Sequence, residues 1–166
     1  MSIDIRITTA TEHDLPLILR FIENLAEYEK LRDKCIATEE KLRKTLFADR
    51  PAAEVLIARV DGKPAGFALF FHNYSTFLAQ RGIFLEDLFV DPTARGTGVG
   101  RALLAALARI AIDRDCGRLE WSVLDWNELG IGFYQGMGAH PMDEWTTFRM
   151  AGEPLLALAR ESIAIG

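Results

Sequence analysis

The stretch Leu85-Glu86-Asp87-Leu88-Phe89-Val90-Asp91-Pro92-Thr93-Ala94-Arg95-Gly96-Thr97-Gly98-Val99-Gly100 gathers the residue types from which a phosphate-binding turn is built. Its alternating start reads as a strand, Asp91-Pro92 stops it, and the glycines open a helix. Glycines let several backbone N–H groups converge on one anion, and the helix N-terminus adds the positive end of its dipole. A pyrophosphate suits such a device. The Rossmann spacing fails, because Arg101 stands where the third glycine would be. A Walker A loop fails as well, since no Gly-Lys-Ser/Thr closes the turn. The spacing present is Arg-x-x-Gly-x-Gly, from Arg95 through Gly98 to Gly100.

Carboxylates stand close to this turn. In a regular strand Glu86 and Asp87 point to opposite faces, so one can meet a ligand while the other is satisfied elsewhere. A carboxylate can hold an alkyl ammonium and accept its proton, directly or through water. Further along, Tyr134 follows Asn127 by seven residues. A phenol, with a pKa of about 10, can serve as a general acid. Phe133-Tyr134 would equally pack a helix against a sheet, and Asn127 would serve as an ordinary helix N-cap. His13, His72 and His140 are isolated, so no metal site is expected. Without a Ser-His-Asp or Cys-His motif, direct attack by a substrate is expected rather than an acyl-enzyme.

The run from Arg95 to Gly100 resembles the acetyl-CoA pyrophosphate loop of the GNAT superfamily of N-acetyltransferases. Asn-Leu-Ala-Glu-Tyr-Glu at 24–29, Leu-Glu-Asp-Leu-Phe-Val at 85–90, Trp-Asn at 126–127, Phe-Tyr at 133–134 and Gly-Ala at 138–139 are similar to the diamine (spermidine/spermine) and thialysine N-acetyltransferase branch. The resemblance runs in order over nearly the whole chain. It implies an acetyl-CoA-dependent enzyme in which a primary amine, polyamine- or lysine-like, attacks directly in a ternary complex. By the same resemblance Tyr134 protonates the thiolate, and Glu86 binds the amine and relays its proton. Arg95, Gly96, Thr97, Gly98, Val99, Gly100 and Asn127 would hold the cofactor. The backbone at Leu88, Phe89 and Val90 would lie along the pantetheine arm, as if the ligand were an added strand. Tyr28, Glu29, Trp121 and Glu144 (with Asp143 beside it) would line the amine site, and the protein would form a homodimer. The rivals are a non-catalytic acyl-CoA-binding or regulatory module on the same fold, for which a tyrosine acid and a carboxylate have no use, and an enzyme of the same family acting on another amine (an antibiotic, an amino acid or a protein). Between His72 and Gly82 there is no acidic residue, which speaks against spermine itself.

These residues need a scaffold. Ile3, Ile5 and Ile7 alternate with polar residues as in a half-buried strand. Thr11 and Asp14 form a capping box ahead of Leu15, Ile18, Leu19, Ile22, Leu25 and Ala26, the stripe of an amphipathic helix. A second helix spans 38–47. Strands are expected at 55–58 and 65–71 around an Asp61-Gly62 turn, then at 83–90, 119–124 and 146–150. Residues 72–82 read as a loop; helices are expected over 98–112, 128–137 and 154–163. The expectation is one α/β domain over residues 1–166, with a mixed twisted sheet of about six to seven strands flanked by helices.

Composition bounds the rest. The 166 residues suit one domain, and 49% hydrophobic with 26% charged residues is globular. A formal net charge of −5 disfavours a broad grip on nucleic acid or an anionic membrane, and leaves room for a cationic partner. The longest apolar run, Ala102 to Ala108, is far short of the ~20 residues of a spanning helix. The N-terminal residues show no signal-peptide pattern. Cys35 and Cys116 lack C-x-x-C spacing, so a reducing cytoplasm is expected.

Overall fold

The computed structural model describes residues 4–163. They divide into two compact units, one ending at Leu124 and the other beginning at Asp125.

The first unit is built on a five-stranded sheet in the order β1-β2-β3-β4-β5. Strand β1 (Ile5–Thr9) pairs antiparallel with β2 (Glu54–Val60), β2 with β3 (Lys63–Ser75), and β3 with β4 (Gln80–Val90). Strand β5 (Leu119–Trp121) joins β4 in parallel. The alternation at Ile5 and Ile7 is therefore a strand, while Ile3 lies outside the described residues. The β2–β3 turn uses Asp61 and Gly62, both at positive φ (48° and 78°), the twist that suits a tight hairpin.

Helix α1 (Leu15–Tyr28) follows the expected box, in which the Thr11 N–H donates to Asp14 Oδ2 at 2.8 Å. Its stripe buries Leu15, Ile18, Phe21 and Leu25. With Leu42 and Leu46 of helix α2 (Glu39–Leu46) these cover Val55, Ile57, Phe67 and Phe89 on one face of the sheet. Phe21 stacks on Phe67 with centroids 5.5 Å apart. Residues alternate along β2, so the buried Leu56 and Ala58 face the other side. There helix α3 (Val99–Asp113) packs along the sheet through Leu103 and Leu107, both fully buried.

In the second unit helix α4 (Glu128–Gln135) is capped by Asn127, whose Oδ1 accepts the Gly130 N–H at 3.0 Å. Helix α5 (Gly152–Arg160) follows near the C-terminus. No described residue of this unit is buried.

Two sequence expectations change. The sheet has five strands rather than six or seven, and 146–150 forms no strand among the described residues, its apolar side chains standing exposed with no ladder partner. Residues 72–82, read as a loop for their polarity, instead continue the β3–β4 hairpin, with Asn73 opposite Gly82 and Tyr74 opposite Arg81. The ladder pairs the backbone there, and some side chains find local partners. His72 Nδ1 lies 3.1 Å from the Gly82 carbonyl, and the Leu78 N–H donates to Ser75 Oγ at 3.3 Å.

Candidate active site

Strand β4 carries an irregularity where the acidic pair lies. Asp87 faces Leu69 and Leu85 faces Phe70, so Glu86 is an extra residue with no partner on β3. This is a β-bulge, which breaks the two-residue alternation and re-aims side chains. The expectation that Glu86 and Asp87 diverge assumed a regular strand. Across the bulge the Asp87 carboxyl feels the charge of Glu86 and that of Glu29, just past the end of α1. Burial, then repulsion from Glu86 and Glu29, pushes the Asp87 carboxyl from its ordinary 3.8 up to about 6. Burial also raises Glu29. Glu86 itself is exposed.

Glu29 and Asp87 share a pocket of about 220 Å3 against α1, floored by Ile22, Leu25 and Ala26. Neither carboxylate has a hydrogen bond or ion pair among the described residues. A half-buried anion without a counter-ion is costly, and a cationic ligand removes that cost. Asp87 was missed as a pocket residue because bulges leave no signature in a single sequence. Lys34 and Cys35, also in the pocket wall, carry no motif.

Beyond the bulge, no strand among the described residues pairs with the second edge of β4. Its ladder with β5 covers only Ile83, Phe84 and Leu85, the last opposite the half-buried Trp121. The Asp91 N–H donates to the Ala65 carbonyl at 2.8 Å, which fixes the antiparallel alternation. Residues 89 and 87 therefore bond toward β3, and the backbone of Leu88 and Val90 faces the uncovered edge. Phe89 turns its ring into the core, 5.8 Å from Phe21.

The glycine turn follows directly. Asp91 Oδ1 accepts the Thr93 N–H at 2.9 Å and turns the chain, and the Thr97 hydroxyl donates to the Ala94 carbonyl at 2.6 Å. Gly96 and Gly98 take φ of +77° and +95°. A Cβ at Gly96 would meet nothing within 4 Å, and one at Gly98 only the tip of Ile5 at 3.8 Å. Glycine is thus required here by backbone conformation, not by crowding. Gly98 caps α3 without a side chain, Val99 anchors the helix in the core, and Gly100 sits in a first turn that has no acidic residue. Its orphan N–H groups are left for an anion. Arg95 leans back: Nε donates to the Val90 carbonyl at 3.2 Å, and the guanidinium lies 4.9 Å from the centroid of the Tyr28 ring. Both line a second pocket, of about 390 Å3, with Asn24, Glu27, Phe89 and Pro92.

The first unit thus brings together Tyr28, Glu29, Glu86, Asp87 and Arg95. Asn127, Tyr134 and Glu144 belong to the second unit. There Tyr134 is half-buried beside Phe133, with ring centroids 5.4 Å apart, while Asp143 and Glu144 are exposed and outside any regular element.

A strand edge unpaired beyond a bulged acidic pair and followed by a glycine-rich helix start can take an extended ligand that ends in an anion. The chain belongs to the acetyltransferase (GNAT) family, whose model matches residues 22–139. It is an N-acetyltransferase that transfers acetyl to an amine, and members of this family use acetyl-CoA as cosubstrate. It is 37% identical to the thialysine N-epsilon-acetyltransferase of Bos taurus, over 93% of this chain and 97% of that one. It is 33% identical to an L-ornithine N5-acetyltransferase of Arabidopsis thaliana, over 95% and 89% respectively. Among solved structures, an integron cassette protein from the mobile metagenome of V. cholerae superposes with a TM-score of 0.79 at 31% identity, covering 97% of this chain and 99% of that one.

Proposed function

We propose that this protein transfers the acetyl group of acetyl-CoA to the primary amine of a small polyamine- or lysine-like substrate. The observation that carries the reading is the β4 bulge, where three carboxylates converge beside an open strand edge that runs into the glycine turn. Acetyl-CoA supplies the activated thioester. The orphan N–H groups at Gly98, Val99 and Gly100 fit its pyrophosphate, with Gly96 and Thr97 shaping the turn and Arg95 within reach of it. The outward backbone of Leu88 and Val90, with Phe89 anchoring the strand, fits the amides of the pantetheine arm. Glu29 and Asp87 bind the acceptor as an ammonium, and Tyr28 and Trp121 wall the site. Glu86, exposed on the bulge, accepts the proton through water, since an alkyl ammonium of pKa about 10.4 must be deprotonated before it attacks. Tyr134 returns a proton to the leaving thiolate, Asn127 holds its helix, and Glu144 belongs to the acceptor side. On this reading residues 1–166 work as one domain, a span supported by a family match that crosses both units.

The names of the thialysine and ornithine relatives support a lysine-like acceptor. Homodimer formation is part of the proposal. It is supported by the apolar side chains exposed in the second unit, such as Phe148 at 92% and Trp145 at 74%. A reducing cytoplasm, without nucleic-acid or membrane partners, suits two unpaired cysteines and a net charge of −5.

The test is thiol release from acetyl-CoA over a panel of amines. Turnover with short aliphatic amines supports the proposal. Thermal stabilisation by acetyl-CoA with no amine releasing free CoA overturns it.

A further inference from the structure

We infer that Tyr28 is a positioning residue for the cofactor side of the site: its ring holds the Arg95 guanidinium where the anionic end of acetyl-CoA arrives. This rests on the acetyl-CoA site proposed above and adds to the place of Tyr28 in the acceptor wall. Tyr28 is the last residue of α1, half-buried and packed against the core cluster, so helix and core together fix its ring. Arg95 is exposed at the start of the glycine turn, where a long side chain in water would otherwise sample many rotamers. Two contacts hold it. Nε donates to the Val90 carbonyl at 3.2 Å, and the guanidinium lies over the Tyr28 ring, 4.9 Å from its centroid.

The Val90 carbonyl faces the edge of β4 that no described strand pairs with, so Nε sits on the side along which an extended ligand would run. A guanidinium resting on a ring still has N–H groups to give, in the fork that suits a phosphate. No described carboxylate pairs with them. Glu27 lines the same pocket of about 390 Å3, yet Arg95 forms no ion pair with it or with any other described residue. Asp91 feels the Arg95 charge, but its Oδ1 accepts from the Thr93 N–H and hydroxyl at 2.9 and 2.6 Å. An aromatic face orients the cation without neutralising it, which a carboxylate would do. Beside Gly96 and Gly98, that charge adds to the orphan N–H groups of α3.

The experiment measures Kd for CoA by titration calorimetry in the unaltered protein, in Tyr28→Leu, Tyr28→Phe and Arg95→Gln, and in the double variant Tyr28→Leu with Arg95→Gln. Tyr28→Leu should raise Kd about twofold to fivefold, the range of an exposed cation–π contact, and Tyr28→Phe, which keeps the ring face, should recover most of that loss. In the Arg95→Gln background Tyr28→Leu should cost nothing further, because the ring then has no cation to hold. Equal losses in both backgrounds, or a Kd unmoved by Tyr28→Leu, overturn the inference, since the ring then acts by packing or on the acceptor alone. If Tyr28→Leu does not fold, Arg95→Lys at its exposed position decides: a compact ammonium that sits less well on the ring should raise Kd by a similar factor, and an unmoved Kd overturns the inference. Arg95→Gln with an unmoved Kd also overturns it and leaves the acetyl-transfer reading standing. An unaltered protein that binds no CoA overturns both.

Discussion

Asp87 is a carboxylate whose surroundings oppose its charge, and this has measurable consequences. Its folded-state pKa is raised from 3.8 to about 6, first by burial and then by Glu86 and Glu29. The stability this group contributes is fully present below about pH 4 and is lost as the pH rises through 6. The loss at neutral pH is on the order of 3 kcal/mol. Asp87→Asn should therefore flatten the decline in stability between pH 4 and 6, read by thermal unfolding, and raise Tm at pH 7. The same substitution should weaken amine binding, and kcat/KM for the amine should lose the rising limb centred near pH 6. At the proposed general acid, Tyr134→Phe should lower turnover by about 10²–10⁴ in steady-state assays. An unchanged rate removes Tyr134 as the acid.

At the scale of elements, β4 and the start of α3 form one device. The strand is core on one side of its bulge and open edge on the other, and the chain leaves it through Gly96 and Gly98, both at positive φ. Gly98→Ala meets no steric obstacle beyond Ile5, so its cost is conformational, about 1–2 kcal/mol. The substitution should lower Tm modestly and weaken acetyl-CoA binding in a titration, since the same residue presents the first N–H groups of α3. Much of this device was legible. Alternating residues, the Asp91-Pro92 stop and the glycine spacing all reflect local backbone physics. The bulge was not, because nothing in Leu-Glu-Asp-Leu distinguishes a regular strand from one holding an extra residue against its partner. The 72–82 segment misled for a related reason: polar residues in a hairpin look like a loop until the ladder partner is known.

For the whole molecule, the division into two units sets the open question of assembly. The first unit has a two-sided core around Phe21, Phe67, Leu103 and Leu107. The second buries no described residue and exposes Phe148, Trp145 and Met142. Apolar surface of this kind is stabilised by being covered. Sedimentation equilibrium should therefore give a dimer mass for the whole chain. A monomer at micromolar concentration would refute the homodimer. The net charge of −5 acquires local meaning at this scale, since Glu29 and Asp87 share one pocket, with Glu86 next to Asp87 in the chain, while other acids, such as Glu23, Glu54 and Asp113, pair with arginines.

By itself the sequence determined the periodic elements, the glycine turn, the family it resembles and most of the residues proposed to act. Each of these depends on neighbours along the chain, where a few residues of spacing carry the information. The tertiary structure decided which carboxylates meet, that Asp87 joins Glu29 in a pocket that Lys34 also lines, and that Arg95 leans on Tyr28. Those outcomes depend on strand register and on how helix ends approach the sheet. Burial and mutual repulsion act through space between groups far apart in sequence, so no spacing rule along the chain could report them.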